Sequence, residues 1–340
     1  MIHRVSVLAF YVVVLSSACA GGSRLPDAVD GSVVPPEDNS ATYPDCTSQQ
    51  LAATSAVASY EPLAQLPASG SSTDPFMNEI LDRGKLVVGI SADTLLFGAR
   101  NLAADTADPN GELAYEGFDI DVLTQVALAI FGGDERGIGQ HIEFTAIPYK
   151  DRIPKLQSGE VDIVAHTMTI NCKRWLQIAF SAEYFHAGQR VLLLKGSPHG
   201  AIEDLASAKA TVCVPKGSTN EEHLTNFYPD VVPVTPDESS DCLVLLQQGR
   251  VDAVTGDDTV LAGLAAQDPA TAVTGPQFTQ EPYGLGIASD HVYFVKFVNR
   301  VLADMIDDGR WDALYAKWLV PSLAAAPVAA PTPDYSRPDP

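Results

Sequence analysis

Short apolar runs bounded by polar or glycine positions recur along the middle of the chain, at residues 86–90, 162–165, 191–194, 211–214, 251–255 and 285–288. Each predicts a buried strand. Between them the apolar period lengthens to that of helices. After Gly117, the residues Leu123, Val126, Ala127 and Ile130 stand at i, i+3, i+4 and i+7, and Asp119 and Asp121 fall in the first turn, where the macrodipole favours anions. Two more helices are predicted over 293–306 and 311–318. Alternating β and α elements imply an α/β fold with largely parallel sheets.

One block occurs twice. Leu156-Gln-Ser-Gly-Glu-Val-Asp-Ile-Val-Ala-His-Thr167 returns as Leu246-Gln-Gln-Gly-Arg-Val-Asp-Ala-Val-Thr-Gly-Asp257, with six identities in register over twelve residues. Each copy reads as helix end, glycine stop, buried strand and polar loop. The chain therefore builds one Rossmann-like unit twice. Ligands of open α/β sheets sit beyond the carboxyl ends of the strands, so Thr167 and Asp257 are expected to face one cleft between two lobes.

The last two helices follow the second copy and need a surface to cover, which predicts their return to the first lobe. Lobe one is then discontinuous, residues 74–193 plus 283–320, and lobe two is 194–282. Two crossing segments, near Leu192 and Pro282, act as the hinge. Residues 19–73 are rich in Gly, Ser, Pro, Asp and Ala and read as a tether, with a possible short helix over 48–60. Residues 321–340 carry five prolines, Pro327, Pro331, Pro333, Pro338 and Pro340 after Pro321, and are expected to be extended and disordered.

The N-terminus places the protein outside the cytosol. His3 and Arg4 precede an apolar run over 5–15, then Ser16-Ser17-Ala18-Cys19. About 20 apolar residues are needed to span a bilayer, so residues 1–18 read as a signal peptide. Small residues before a lone cysteine resemble the bacterial lipobox, which makes Cys19 the expected lipidation site. An ordinary secretory signal cut near Ala18 or Ala20 is the alternative. The expected location is the outer face of the cell membrane, held by lipid.

Four cysteines remain, and an even count outside the cytosol favours disulfides. Three pairings are possible. Cys213 and Cys242 fall in neighbouring elements and are paired here, leaving Cys46 with Cys172. With no CxxC spacing, neither a metal nor a cofactor is expected. The net charge of -22 argues against nucleic acid as a partner, and so much like charge on the surface fits a soluble monomer.

Several linked motifs carry a resemblance. Gly117-Phe-Asp-Ile-Asp-Val122, Arg152-Ile-Pro-Lys-Leu-Gln-Ser-Gly-Glu-Val-Asp162, Thr167-Met-Thr-Ile-Asn-Cys-Lys-Arg174, Lys216-Gly-Ser-Thr219 and Asp252-Ala-Val-Thr-Gly-Asp257 occur in that order. They resemble the family 3 solute-binding proteins, the polar amino-acid receptors of ABC importers, and within them the glutamate/aspartate and glutamine binders. The resemblance spans roughly residues 74 to 319. It implies a periplasmic-binding-protein type II fold, no enzymatic activity, an amino acid as ligand and an ABC permease as partner.

It also implies roles. Arg174 matches the arginine that holds the ligand α-carboxylate, completed by Thr169 and Thr219 with nearby backbone N–H groups. Asp257 matches the carboxylate that takes the α-ammonium. Arg152 matches the arginine that faces an acidic side chain, so glutamate or aspartate is expected first and glutamine or asparagine next. Arg100 is a second candidate cation, although a surface position is an equally good reading. Tyr149 matches an aromatic that packs on the ligand, Ser218 adjoins Thr219, and Thr167 and His166 line the same loop, His166 reading first as structural. Two alternatives remain: a binder that presents its ligand to a membrane sensor, and a small-acid dehydratase on the same fold.

Overall fold

A computed structural model describes residues 56–102, 113–323 and 328–340. Two five-stranded sheets carry the fold. In the first, the strand order is Ile142–Ala146, Leu86–Ile90, Ile163–Ala165, Gly286–Ile287, Ala179–Phe180; in the second it is Val232–Val234, Thr211–Cys213, Ala253–Asp257, Gln189–Leu194, Thr271–Thr274. Three parallel strands meet an antiparallel return strand in each sheet. The two lobes thus share one strand order.

The repeated block explains that symmetry physically. Gly159 and Gly249 close the two helices at φ 72° and 65°, a left-handed turn that glycine adopts without strain. Three residues later, Asp162 accepts the Val87 N–H at 2.7 Å and donates its own N–H to Val87 O, while Asp252 does the same with Thr211. Each aspartate staples the start of its strand to the first strand of its lobe. The Val-Asp pair is therefore a register device used twice.

Lobe one buries the larger core. Phe118, Leu123, Val126 and Ile130 of the helix Phe118–Phe131 pack with Phe294, Val298 and Trp311 from the two late helices, Val292–Asp307 and Arg310–Trp318, which return to this lobe. Lobe two has two smaller clusters, one holding the Cys213–Cys242 disulfide between the strand Thr211–Cys213 and the helix Ser239–Gln247. Cys172 is also disulfide-bonded, and its expected partner Cys46 lies outside the described residues.

Three expectations need correction. Leu192 is not a hinge residue: its strand lies between Ala253–Asp257 and Thr271–Thr274 and is buried in lobe two. The chain crosses instead through a two-stranded ribbon, Phe185–Ala187 against Glu281–Tyr283, which includes Pro282. Residues 328–340 are extended, as their prolines dictate, but docked, because Arg337 and Asp334 find backbone partners at Ala58 and Ser59. Residues 56–60 form turn and extended chain rather than helix; the rest of the predicted 48–60 helix lies outside the described residues, as do Cys19 and the signal segment.

Candidate functional site

The loops after the central strands face each other, and polar contacts close the lobes. Tyr149 OH lies 3.0 Å from Ser239 Oγ, Lys150 pairs with Asp237 at 2.6 Å, Lys173 with Glu222 at 2.9 Å, and Asp93 accepts the Ser240 N–H at 2.8 Å. The space left beside Tyr149, Asn220, Ser239 and Asp257 is about 10 Å³. That is room for roughly one water. An amino acid therefore enters only after the lobes part.

Arg152 starts the short helix after Tyr149 and is 2% exposed. Its guanidinium donates to three backbone carbonyls, Tyr149 O at 2.9 Å, His166 O at 3.0 Å and, across the cleft, Gly217 O at 3.3 Å, and it lies over the Tyr149 ring. No carboxylate bonds to it among the described residues. Burial, then the nearby Arg174 charge, push its pKa down. A buried cation whose hydrogen bonds all go to carbonyl dipoles is costly unless an anion bonds to it.

Arg174 sits on a single turn, Cys172–Trp175, whose N-cap Asn171 accepts the Arg174 N–H at 2.9 Å. Its Nη1 donates to Thr169 O at 2.7 Å. The Thr169 hydroxyl reaches lobe two, lying 3.2 Å from Thr219 Oγ1. Thr219 opens the helix Thr219–Phe227, whose free N–H groups suit an anion.

Asp257 ends the central strand of lobe two and is buried. It accepts from Asn220 Nδ2 at 2.8 Å and Tyr283 OH at 2.6 Å. Burial, reinforced by the neighbouring Glu281, raises its pKa to about 8. An ammonium beside it would restore the charged form.

Thr167 holds the left-handed conformation at φ 42°, and its N–H is clamped by buried Asp119, which also accepts from Tyr184 OH. Among the described residues, the Thr167 hydroxyl and His166 Nδ1 are buried without a hydrogen-bond partner, which leaves them as unused polar capacity in this loop. His166 donates through Nε2 to Ile147 O at 3.0 Å, and burial, then Arg152, push its pKa down to about 3, so the ring is neutral.

Two predicted contacts belong elsewhere. Arg100 is exposed on the strand Gly98–Arg100, with its guanidinium 5.9 Å from the Tyr115 ring. Ser218 spends its hydroxyl as a helix cap, accepting from Glu221 N–H and donating to Pro215 O.

Sequence reasoning missed four residues: Asp93, Asn220, Glu281 and Tyr283. Glu281, 1% exposed on the hinge ribbon, accepts hydrogen bonds of 2.7 Å from Thr169, Thr219 and Thr279. It engages the two hydroxyls expected to meet a ligand carboxylate. Asn220 directly follows the Lys216-Gly-Ser-Thr219 motif, so reading one residue further finds it. Glu281 sends no such signal, apart from its neighbour Pro282 in the expected hinge.

The chain is similar to known proteins. Residues 101–321 match the bacterial extracellular solute-binding proteins, family 3. The ABC transporter glutamine-binding protein GlnH of Bacillus subtilis is 34% identical over 252 residues, covering 74% of this chain and 87% of that one. The glutamate-binding protein GluB of Corynebacterium efficiens is 30% identical over 237 residues, covering 67% and 76%. Among solved structures, an ancestral arginine-binding protein bound to glutamine is 33% identical with a TM-score of 0.60, over 70% of this chain and 98% of that one. These relatives are receptors rather than enzymes, and the solved structure shares this chain's α/β fold. With the family's region covering most of the two lobes, the chain belongs to the bacterial extracellular solute-binding proteins of family 3.

Proposed function

We propose that the protein binds one acidic or amide amino acid between its lobes, glutamate or aspartate ahead of glutamine or asparagine, and delivers it to the permease of an ABC importer. Arg174, Thr169 and Thr219 receive the α-carboxylate, and Asp257 with Thr167 takes the α-ammonium. Arg152 faces the side chain, with Tyr149 packed beside it.

The observation that carries the order of preference is that buried Arg152 spends its hydrogen bonds on backbone carbonyls. Glutamate and glutamine differ only in a terminal carboxylate or amide. A charge-assisted hydrogen bond contributes about 1.5 to 3 kcal/mol, so the carboxylate gains more from this guanidinium. Thermal shift with the amino acids one at a time tests it, since a ligand that binds only the folded form raises stability as its concentration exceeds Kd. Glutamate and aspartate are expected to shift melting most; a larger shift with glutamine would reverse the order.

The same reading has Cys19 acylated and the monomeric protein held on the outer face of the cell membrane through the segment that follows Cys19. Mass spectrometry of the mature N-terminus checks this, with an unacylated end overturning it.

A further inference from the structure

The chain segments flanking the family-matched region meet at Trp175, the residue next to Arg174. Residues 58–60 and 334–337 run together: Ser59 N–H donates to Asp334 O at 2.8 Å, Arg337 N–H donates to Ser59 O at 3.1 Å, and Tyr60 bridges Arg337 in parallel. Arg337 lays its guanidinium 3.5 Å from the centre of the Trp175 ring and donates Nε–H to Ala58 O at 2.9 Å. The Trp175 indole N–H donates to Ala56 O at 3.1 Å, and Tyr60 meets the same ring edge-on at 5.9 Å.

Both segments are anchored to the body of lobe one. Buried Asn299 donates to Ser59 Oγ at 2.9 Å and Tyr60 O at 2.7 Å while accepting from Ala182 N–H, and Lys296 pairs with Asp339 at 2.6 Å. The segments thus form a two-part clasp that reaches the turn bearing Arg174 through the Trp175 ring.

That ring matters because the turn bearing it cannot hold itself. Cys172–Trp175 is four residues long, and a single turn has almost no intrinsic stability. Its place is set by what grips it, the Cys172 disulfide and the contacts of the Trp175 ring among them. Arg174 and Trp175 are successive residues on this turn, so a shift of the ring is a shift of the guanidinium. Recognition of a carboxylate by a planar fork tolerates little misplacement.

We propose that the clasp presets Arg174 for its ligand, with Arg337 as a positioning residue acting through Trp175. The proposal rests on the reading of Arg174 as the residue that receives the α-carboxylate. Affinity thereby depends on two segments that never touch the amino acid.

A double-mutant cycle in the full chain tests it, with glutamate affinity read by calorimetry. Arg337→Ala is expected to weaken binding about tenfold, within the coupling usual for residues of one network. Arg337→Lys recovers part of the loss, since an ammonium cannot stack flat on the indole. In an Arg174→Lys background, Arg337→Ala adds less than about twofold, because the group it positions has gone. Unchanged affinity of Arg337→Ala, or an equal loss in both backgrounds, overturns the clasp and leaves the tail a general stabiliser. Trp175→Phe, which loses the indole N–H to Ala56 and part of the aromatic face under Arg337, supplies the same comparison should Arg337→Ala fold poorly. If Arg174→Lys alone leaves glutamate affinity intact, the reading of the site fails, whatever Arg337 does.

Discussion

Tyr283 donates a 2.6 Å hydrogen bond to Asp257, joining the hinge ribbon to the tip of the central strand in lobe two. Despite that bond and a second from Asn220, burial holds the Asp257 pKa at about 8. The ligand-free folded protein keeps a proton there that the unfolded chain releases near pH 4. Stability from this group is therefore full at acid pH and declines as pH rises toward 8. Ligand binding runs the other way, because an ammonium needs the carboxylate. Glutamate affinity should rise about tenfold per unit between pH 6 and 8 and flatten above. Calorimetry in buffers of different ionisation enthalpy should show close to one proton released at pH 6.5; a pH-independent affinity would remove Asp257 from the ammonium site.

Glu281 is the second contributor to that raised pKa. Glu281→Gln removes its repulsion, so the midpoint of the affinity profile should move to lower pH. The same change takes away a carboxylate that competes for the Thr169 and Thr219 hydroxyls, and glutamate should bind several-fold tighter at pH 6. A midpoint left near 8 would show that Glu281 and Asp257 do not communicate.

Arg174→Ala is expected to lose about 2 to 5 kcal/mol of glutamate binding, since truncation leaves a buried carboxylate unpaired. Arg152→Gln should separate ligands instead, costing glutamate more than glutamine. Calorimetry on both variants with both amino acids decides it. Parallel losses for the two ligands in Arg152→Gln would mean that this guanidinium serves the fold rather than selectivity.

Much of the lobe architecture was legible because it rests on local rules. Periodicity located the central strands but not Ile142–Ala146, Ala179–Phe180, Val232–Val234 or Thr271–Thr274, and the duplicated Val-Asp block exposed two copies of one unit, since Asp162 and Asp252 perform the same backbone staple. The candidate site was readable as a set of motif residues, such as Thr167, Thr169 and Arg174, of which the fold bonds Arg174 to Thr169. It was opaque where contacts join distant segments: Glu281 reaches Thr169 across 112 positions, and nothing in its neighbours announces a buried carboxylate. Arg100 misled because charge in a loop says nothing about which way the loop faces. The tail misled differently, because proline content dictates an extended backbone but not whether Arg337 finds an indole to cover.

Gly263 offers a test of closure that leaves every polar contact in place. It lies in the helix Asp258–Gln267 of lobe two, and a Cβ there would stand 2.6 Å from the backbone oxygen of Leu95 in lobe one. Backbone cannot yield cheaply, so Gly263→Ala is a wedge against the closed state. Within its own lobe the change is favourable, because alanine stabilises a helix interior by roughly 0.5 to 1 kcal/mol over glycine. The two effects therefore separate by sign. The ligand-free protein, free to open, should melt no lower than wild type, while glutamate affinity falls at least about tenfold because a ligand can only pay into a closed state that the wedge now opposes. Small-angle scattering with saturating glutamate should show the variant remaining more extended than wild type. Unchanged affinity with normal compaction would mean that ligand capture does not require the lobes to meet at Leu95.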